Sequence, residues 1–279
     1  MNVLLTGATG FLGSHIAKML IDHGHNIICL VRDKNRLGYI APVAKDITLF
    51  TLDEMEMGKG FRIETVVHTA CAYARGNNSN YDVLNSNLIV PFRILELTQQ
   101  LGVRRWINTG TCLPKQLDCY AMSKHQFNEW GQLYAEMGLL QFVNLELEHF
   151  YGRNAPNSHF LTKVIQKLRK NDPLQLTAGI QKRDFIYIGD VIRVYEKILE
   201  YHFSDAYVNI PVGTGVAPSI REVVEYLKEC MHSNSKLNFG VVPMRKNEPS
   251  SHCNTEKLKE LEIMPTVTWK NGMKKYLID

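Results

Sequence analysis

No run of apolar residues in this chain approaches the ~20 that a helix needs to cross a bilayer, so no membrane association is expected. No basic stretch leading into a long apolar run follows Met1, so a secretory leader is not expected and the cytoplasm is the expected compartment. Cysteine is sparse: Cys29, Cys71, Cys112, Cys119, Cys230 and Cys253 lie far apart and form no CxxC pair. Neither a disulfide framework nor a zinc site is expected, and reduced thiols suit a cytoplasmic protein. A charge excess of one sign is also missing, since 32 Lys and Arg face 28 Asp and Glu for a net +4. The basic run Lys167, Arg169 and Lys170 is too short for a nucleic-acid arm, and no nucleic-acid partner is expected. Internal repeats are absent, which excludes a solenoid.

What remains is an ordinary globular composition, 45% hydrophobic and 22% charged over 279 residues, able to bury a large core. In the first half short apolar runs alternate with amphipathic segments, the pattern of βα units on a parallel sheet. "NVLLTG" reads as a buried strand, after which Leu12, Ile16, Met19 and Leu20 fall on one helical face. "HNIICLVR", "ITLFTL" and "TVVHTA" read as further strands, and one long helix is predicted from Leu84 to Leu101. The strand "RRWINTG", a helix from Tyr120 to about Gly138 and the strand "QFVNLELEHF" follow. Turn formers after Gly152 separate a predicted first domain, residues 1–152 with returning segments near 183–215, from a smaller α/β lobe over residues 153–279. In that lobe Ser219 and Glu222 stand at capping-box spacing ahead of a helix.

The most specific local signal is "TGATGFLGSH", which places Gly7, Gly10 and Gly13 between the first strand and the first helix. Glycine allows the tight turn at the first position, close approach of a pyrophosphate at the second and close helix packing at the third. The phosphate then meets unpaired N–H groups and the positive end of the helix dipole. Thr9, Phe11 and Leu12 complete the loop as expected cofactor contacts, with Ala70 at the end of the fourth strand. Where a carboxylate would accept bonds from the ribose hydroxyls of NAD, this chain has Arg32, with Lys34 and Arg36 nearby. A guanidinium suits a 2′-phosphate and an acid would repel it, so NADPH is the expected cofactor.

Tyr120 and Lys124 in "YAMSK" share a helical face one turn apart. A nearby ammonium stabilises a phenolate and lowers the phenol's pKa, which makes Tyr120 a candidate proton donor. The chain here resembles the extended short-chain dehydrogenase/reductases, through "TGATGFLG", "VVHTA", Asn87, "NTGT", "YAMSK", "FYG" and "QKRDFIYIGDV", in family order over nearly the whole length. The resemblance implies a Rossmann doubly wound sheet with a smaller C-terminal α/β substrate lobe. It implies that Tyr120 is the general acid/base, that Lys124 holds the nicotinamide ribose, and that Asn87 belongs to the cofactor site. It also implies a threonine that polarises the substrate carbonyl, with Thr111 the choice and Thr109 the alternative. Thr111 and Tyr120 are only nine residues apart, so the substrate-covering loop looks shortened.

"RDFIYIGDV" resembles the segment that contacts the nucleotide of a nucleotide-sugar, with Arg183 as a phosphate or ribose contact and Arg245 as a second arginine; an ion pair of Arg183 with Asp184 or Asp190 is the plainer alternative. Dehydratases of this kind place an Asp-Glu pair after the threonine, whereas Cys112-Leu113 follows Thr111 here. Glu146 and His149 stand where an arginine and an asparagine are usual. The set resembles nucleotide-sugar 4-ketoreductases of the CDP-abequose and CDP-paratose synthase type, which act in deoxysugar and O-antigen lipopolysaccharide biosynthesis. That resemblance implies a CDP- or dTDP-linked 4-keto-deoxysugar substrate, His149 facing the sugar or its diphosphate, and a homodimer paired through the Asn87 and Tyr120 helices.

Overall fold

The computed structural model describes residues 1–56, 62–73, 78–246 and 248–278. The chain divides into two compact units, Met1–Glu146 with Tyr195–Ile210, and Leu147–Val194 with Pro211–Asp279. The first boundary falls a few residues before the predicted one at 152, because from His149 the chain pairs with a later strand of the second unit.

The first unit begins with β1 (Asn2–Thr6), α1 (Phe11–Asp22), β2 (Asn26–Leu30), β3 (Thr48–Phe50), α2 (Leu52–Glu56) and β4 (Thr65–His68). It continues through α3 (Asn80–Leu84), α4 (Val90–Gln100), β5 (Arg105–Thr111), α5 (Cys119–Glu136) and β6 (Gln141–Leu147). Next come β7 (His149–Tyr151), α6 (Phe160–Arg169), β8 (Leu174–Leu176), β9 (Phe185–Tyr187), α7 (Ile188–Glu200) and β10 (Tyr207–Val212). The chain closes with α8 (Ile220–Cys230), β11 (Leu237–Phe239), α9 (Glu256–Glu260) and α10 (Trp269–Ile278).

Seven strands form one sheet in the order β10-β6-β5-β4-β1-β2-β3. Strands β3, β2, β1, β4 and β5 run parallel. A sheet covered by helices on both faces needs strands apolar on both sides, and β1 is buried from Val3 to Thr6 while β4 is buried throughout. The order reverses between β1 and β4, the switch point where such sheets leave a crevice beyond their carboxyl ends. The register levels those ends, with Thr6 opposite both Leu30 and His68, and His68 opposite Asn108. Beneath them Leu4, Val66, Trp106, Phe127 and Phe142 form the core of the first unit.

In the second unit α6 buries Leu161, Val164, Ile165 and Leu168, and α8 buries Ile220, Val223, Val224 and Leu227, each a stripe of helical spacing. Helix α8 opens with the reciprocal cap of Ser219 and Glu222. The helix predicted from Leu84 to Leu101 is not continuous: a π turn, Asn85–Ile89, separates α3 from α4. Pro91 has no N–H to give the carbonyl one turn back, and the wider turn absorbs that missing bond. Among the described residues no helix is long and apolar enough to cross a membrane.

Candidate active site

The glycine loop is a backbone cradle that side chains cannot enter. Gly7 has φ +74°, and a Cβ there would lie 2.5 Å from the Ala70 nitrogen; one on Gly13 would lie 2.2 Å from the Gly7 carbonyl oxygen. Gly10 precedes α1, where no side chain caps the helix and no acid occupies the first turn, so its positive end is open to an anion. Ala70 is fixed from the other side, its N–H donating to Thr6 Oγ1 at 3.3 Å while the Thr69 N–H donates to the Thr6 carbonyl at 3.2 Å. These residues fit a dinucleotide pyrophosphate. The Thr9 carbonyl accepts the Tyr39 N–H at 3.2 Å, which folds the segment after β2 back onto the loop, and Phe11 meets Tyr39 edge-on. Within that segment Lys34 pairs with Glu54 at 2.6 Å and Arg36 with Asp33 at 3.4 Å. Arg32, just past the end of β2, is exposed and joins none of the ion pairs among the described residues.

Tyr120 lies in the first turn of α5, whose start is fixed by Asp118 accepting the Ala121 N–H at 2.8 Å. Its ring is 9% exposed and its hydroxyl hydrogen-bonds Thr111 at the end of β5. Thr109 Oγ1 is instead engaged by the Tyr195 hydroxyl at 2.6 Å, so of the two threonines Thr111 is the one beside the phenol. Lys124, one turn on, is 2% exposed. The lowering of Tyr120 expected from Lys124 does not appear in this state. Burial, followed by Tyr73 and Cys71, holds the phenol well above its usual range, and the Thr111 bond pulls weakly the other way. Burial also depresses the Lys124 ammonium, because a site that disfavours one charged form disfavours both.

The remaining expected substrate residues belong to the second unit. Arg183 is buried and its guanidinium pairs with Glu248 and the Pro249 carbonyl, and donates to the Lys182 carbonyl at 2.9 Å. The ion pair considered with Asp184 or Asp190 is not formed. Asp184 accepts instead from the N–H and hydroxyl of Thr214 and from the Gly215 N–H, and Asp190 from Arg193 and Thr266. Arg245 is exposed, in the turn whose carbonyl accepts the Glu248 N–H at 3.2 Å. His149 donates its backbone N–H to Asp184, and its Nδ1 lies 3.4 Å from Oε2 of the buried Glu148.

The model of the NAD dependent epimerase/dehydratase family matches residues 3–211, well over half of the chain. The chain belongs to that family. A CDP-abequose synthase of Salmonella muenchen is 34% identical, over 99% of this chain and 96% of the relative, and one of Salmonella typhimurium is 30% identical, over 99% and 97%. Among solved structures, UDP-glucose 4-epimerase of Thermotoga maritima with UDP-glucose superimposes with a TM-score of 0.88 at 21% identity, covering 100% of this chain and 98% of the other. UDP-glucuronic acid 4-epimerase of Bacillus cereus, in complex with UDP-glucuronic acid and NAD, gives 0.87 at 21%, with the same coverage. At that identity the two structures speak for the fold alone.

In this member of the epimerase/dehydratase family several residues that no spacing argument singled out build the site. Asn87 has no exposure, and its amide is spent inside the protein. Its Oδ1 accepts the Ala72 N–H at 2.7 Å, and its Nδ2 donates to the Ala72 carbonyl at 2.9 Å and to Ser123 Oγ at 3.1 Å. Asn87 is thus a brace tying the segment after β4 to α5. His68 is also buried, its Nδ1 2.7 Å from Thr6 Oγ1, and burial with Lys124 nearby keeps the imidazole neutral. Tyr73, carried by the braced segment, stacks on Tyr120. Asn87→Leu strands both the N–H and the carbonyl of Ala72, while Ser123 keeps its own bond to the Tyr120 carbonyl, and a buried polar group left unpaired costs ~1–3 kcal/mol. It should therefore destabilise the protein by about 3 kcal/mol, read from denaturant melts.

Proposed function

We propose that the protein is a cytoplasmic, NADPH-dependent reductase of the 4-keto group of a nucleotide-activated 6-deoxy or 3,6-dideoxy-4-hexulose, CDP- or dTDP-linked. The two CDP-abequose synthases, matching nearly end to end, support the sugar class. The observation that carries net reduction over epimerisation is Arg32, a free guanidinium where an NAD-retaining site would need an acid. The cradle of Gly7, Gly10 and Gly13 would hold the dinucleotide pyrophosphate, and the reduced nicotinamide of that cofactor would supply a hydride. Tyr120 gives its proton to the oxygen left at C4, and the Thr111 hydroxyl bonds the same oxygen as it gains charge. Lys124 then steadies the tyrosinate and holds the nicotinamide ribose. Arg183 and Arg245 take the diphosphate, each with a planar fork of donors, and His149 takes the sugar side.

The direct experiment offers purified protein NADPH and CDP-, dTDP- and GDP-linked 4-keto-deoxysugars, with the configuration at C4 read by NMR. Stoichiometric NADPH oxidation with a new C4 alcohol is the expected result. Tightly held NAD, with sugar isomerised and no net oxidation, would establish an epimerase instead.

A homodimer is part of this proposal. Trp130, Leu133 and Met137 are 42%, 43% and 62% exposed at the spacing of one stripe on α5, and Leu84 and Ile89 are exposed around the π turn. A double charge substitution, Trp130→Glu with Leu133→Glu, should convert a dimer to a monomer in sedimentation without unfolding it.

A further inference from the structure

Each reduction consumes one proton along with one hydride, so the phenol that gives its proton to the sugar must be resupplied from water before the next turnover. The groups around Tyr120 differ in their access to water. Thr111, from β5, is 7% exposed, and its Oγ1 accepts the Leu113 N–H at 3.3 Å. Lys124, on the same helix, is 2% exposed, and His68 behind it is 1% exposed and neutral. From the segment after β4 come Cys71 and Tyr73. Tyr73 is half-buried; its ring stacks on Tyr120 with centroids 4.5 Å apart and planes at 25°, and its hydroxyl acts on that of Tyr120.

We propose that Tyr73 is the proton relay of the site, passing a solvent proton to Tyr120 once per turnover. The inference rests on the reductase reading above. The Tyr120 O–H bond first breaks toward the C4 oxygen; after that step the Tyr73 O–H bond breaks toward the Tyr120 oxygen, and a water O–H bond breaks toward Tyr73. No electrons move between the phenols, both end the cycle protonated, and the net uptake is one solvent proton. The stack sets the hydroxyls side by side, and the Asn87 brace on Ala72 holds the segment that carries Tyr73. Tyr73 also favours the protonated form of Tyr120, which keeps the donor charged with its proton between turnovers.

Tyr73→Phe tests this because it keeps the ring and removes only the hydroxyl. A first turnover uses the proton already on Tyr120, so the single-turnover rate should stay within about twofold of wild type while steady-state kcat falls about tenfold or more, with a larger solvent deuterium isotope effect. A wild-type kcat overturns the relay, and an equal loss in single turnover and steady state overturns it in favour of mere positioning. Tyr73→Leu removes the stack as well and should slow both phases; if it does not fold, Tyr73→Phe still decides. If wild-type protein reduces no sugar offered, the reductase reading falls by itself. The contact is then judged in cofactor-free protein by phenolate absorbance, with Tyr120→Phe marking the Tyr120 signal. Tyr73→Phe should lower the Tyr120 titration part of the way, burial still holding it above an ordinary phenol, and an unmoved titration overturns the contact.

Discussion

Tyr120→Phe should lower kcat for keto-sugar reduction by about 10³-fold and leave NADPH affinity within about twofold, since a positioned general acid contributes ~10²–10⁴. The substitution keeps the ring in its buried seat on α5 and deletes only the hydroxyl, whose partners are Thr111 and Tyr73 rather than anything in the glycine cradle. Binding is measured by NADPH fluorescence titration and turnover by NADPH oxidation. Equal turnover in the variant removes Tyr120 from the chemistry. The pH profile offers an independent check. Burial raises Tyr120 above the usual phenol range, so its acid form is full across neutral pH, and reduction should be flat there and fall only on the alkaline side. The reverse oxidation needs the phenolate, so its rate should climb as pH rises.

The parts of the site that could be read from the sequence are those whose chemistry is set by local spacing. Gly7 and Gly13 are dictated by a turn too tight for any Cβ, and glycines three residues apart at 7, 10 and 13, between strand and helix, announce it. Tyr120 and Lys124 share a helical face by arithmetic alone. The strands were legible because a doubly covered sheet needs continuous apolar runs, and α6 and α8 because their stripes repeat at helical spacing. What could not be read depends on contacts far apart in the chain. Nothing local to Tyr73 says that its ring will stack on residue 120, or that Asn87 will reach across to Ala72 and Ser123. Pro91 was a visible warning against a continuous helix from Leu84, but where the π turn fell depended on Asn87 pointing inward. Nor does spacing say that Tyr195 returns from the far end of the first unit to engage the Thr109 hydroxyl. Spacing also implied an acidified Tyr120, and burial, which spacing does not report, reverses the direction.

Arg32→Glu should invert the cofactor preference. Two neighbouring cations are already neutralised, Lys34 by Glu54 and Arg36 by Asp33, which leaves the Arg32 guanidinium as the free donor at the end of β2. A hydrogen bond to a charged group contributes ~1.5–3 kcal/mol, so losing a forked contact to the 2′-phosphate weakens NADPH by about 10- to 100-fold. The new carboxylate adds repulsion against that phosphate and accepts bonds from the bare ribose hydroxyls of NADH, so the NADPH/NADH ratio of kcat/KM should fall by about 10³-fold. Because the residue is exposed and makes no ion pair among the described residues, the melting temperature should not move. Salt separates a contact from a diffuse field: exposed charges beyond ~8 Å are screened at physiological ionic strength, so a direct grip on the phosphate keeps most of its effect in added salt. If the variant uses NADPH as well as the wild type does, Arg32 does not hold the 2′-phosphate, and the case for net reduction over NAD-retaining epimerisation loses the residue on which it stands.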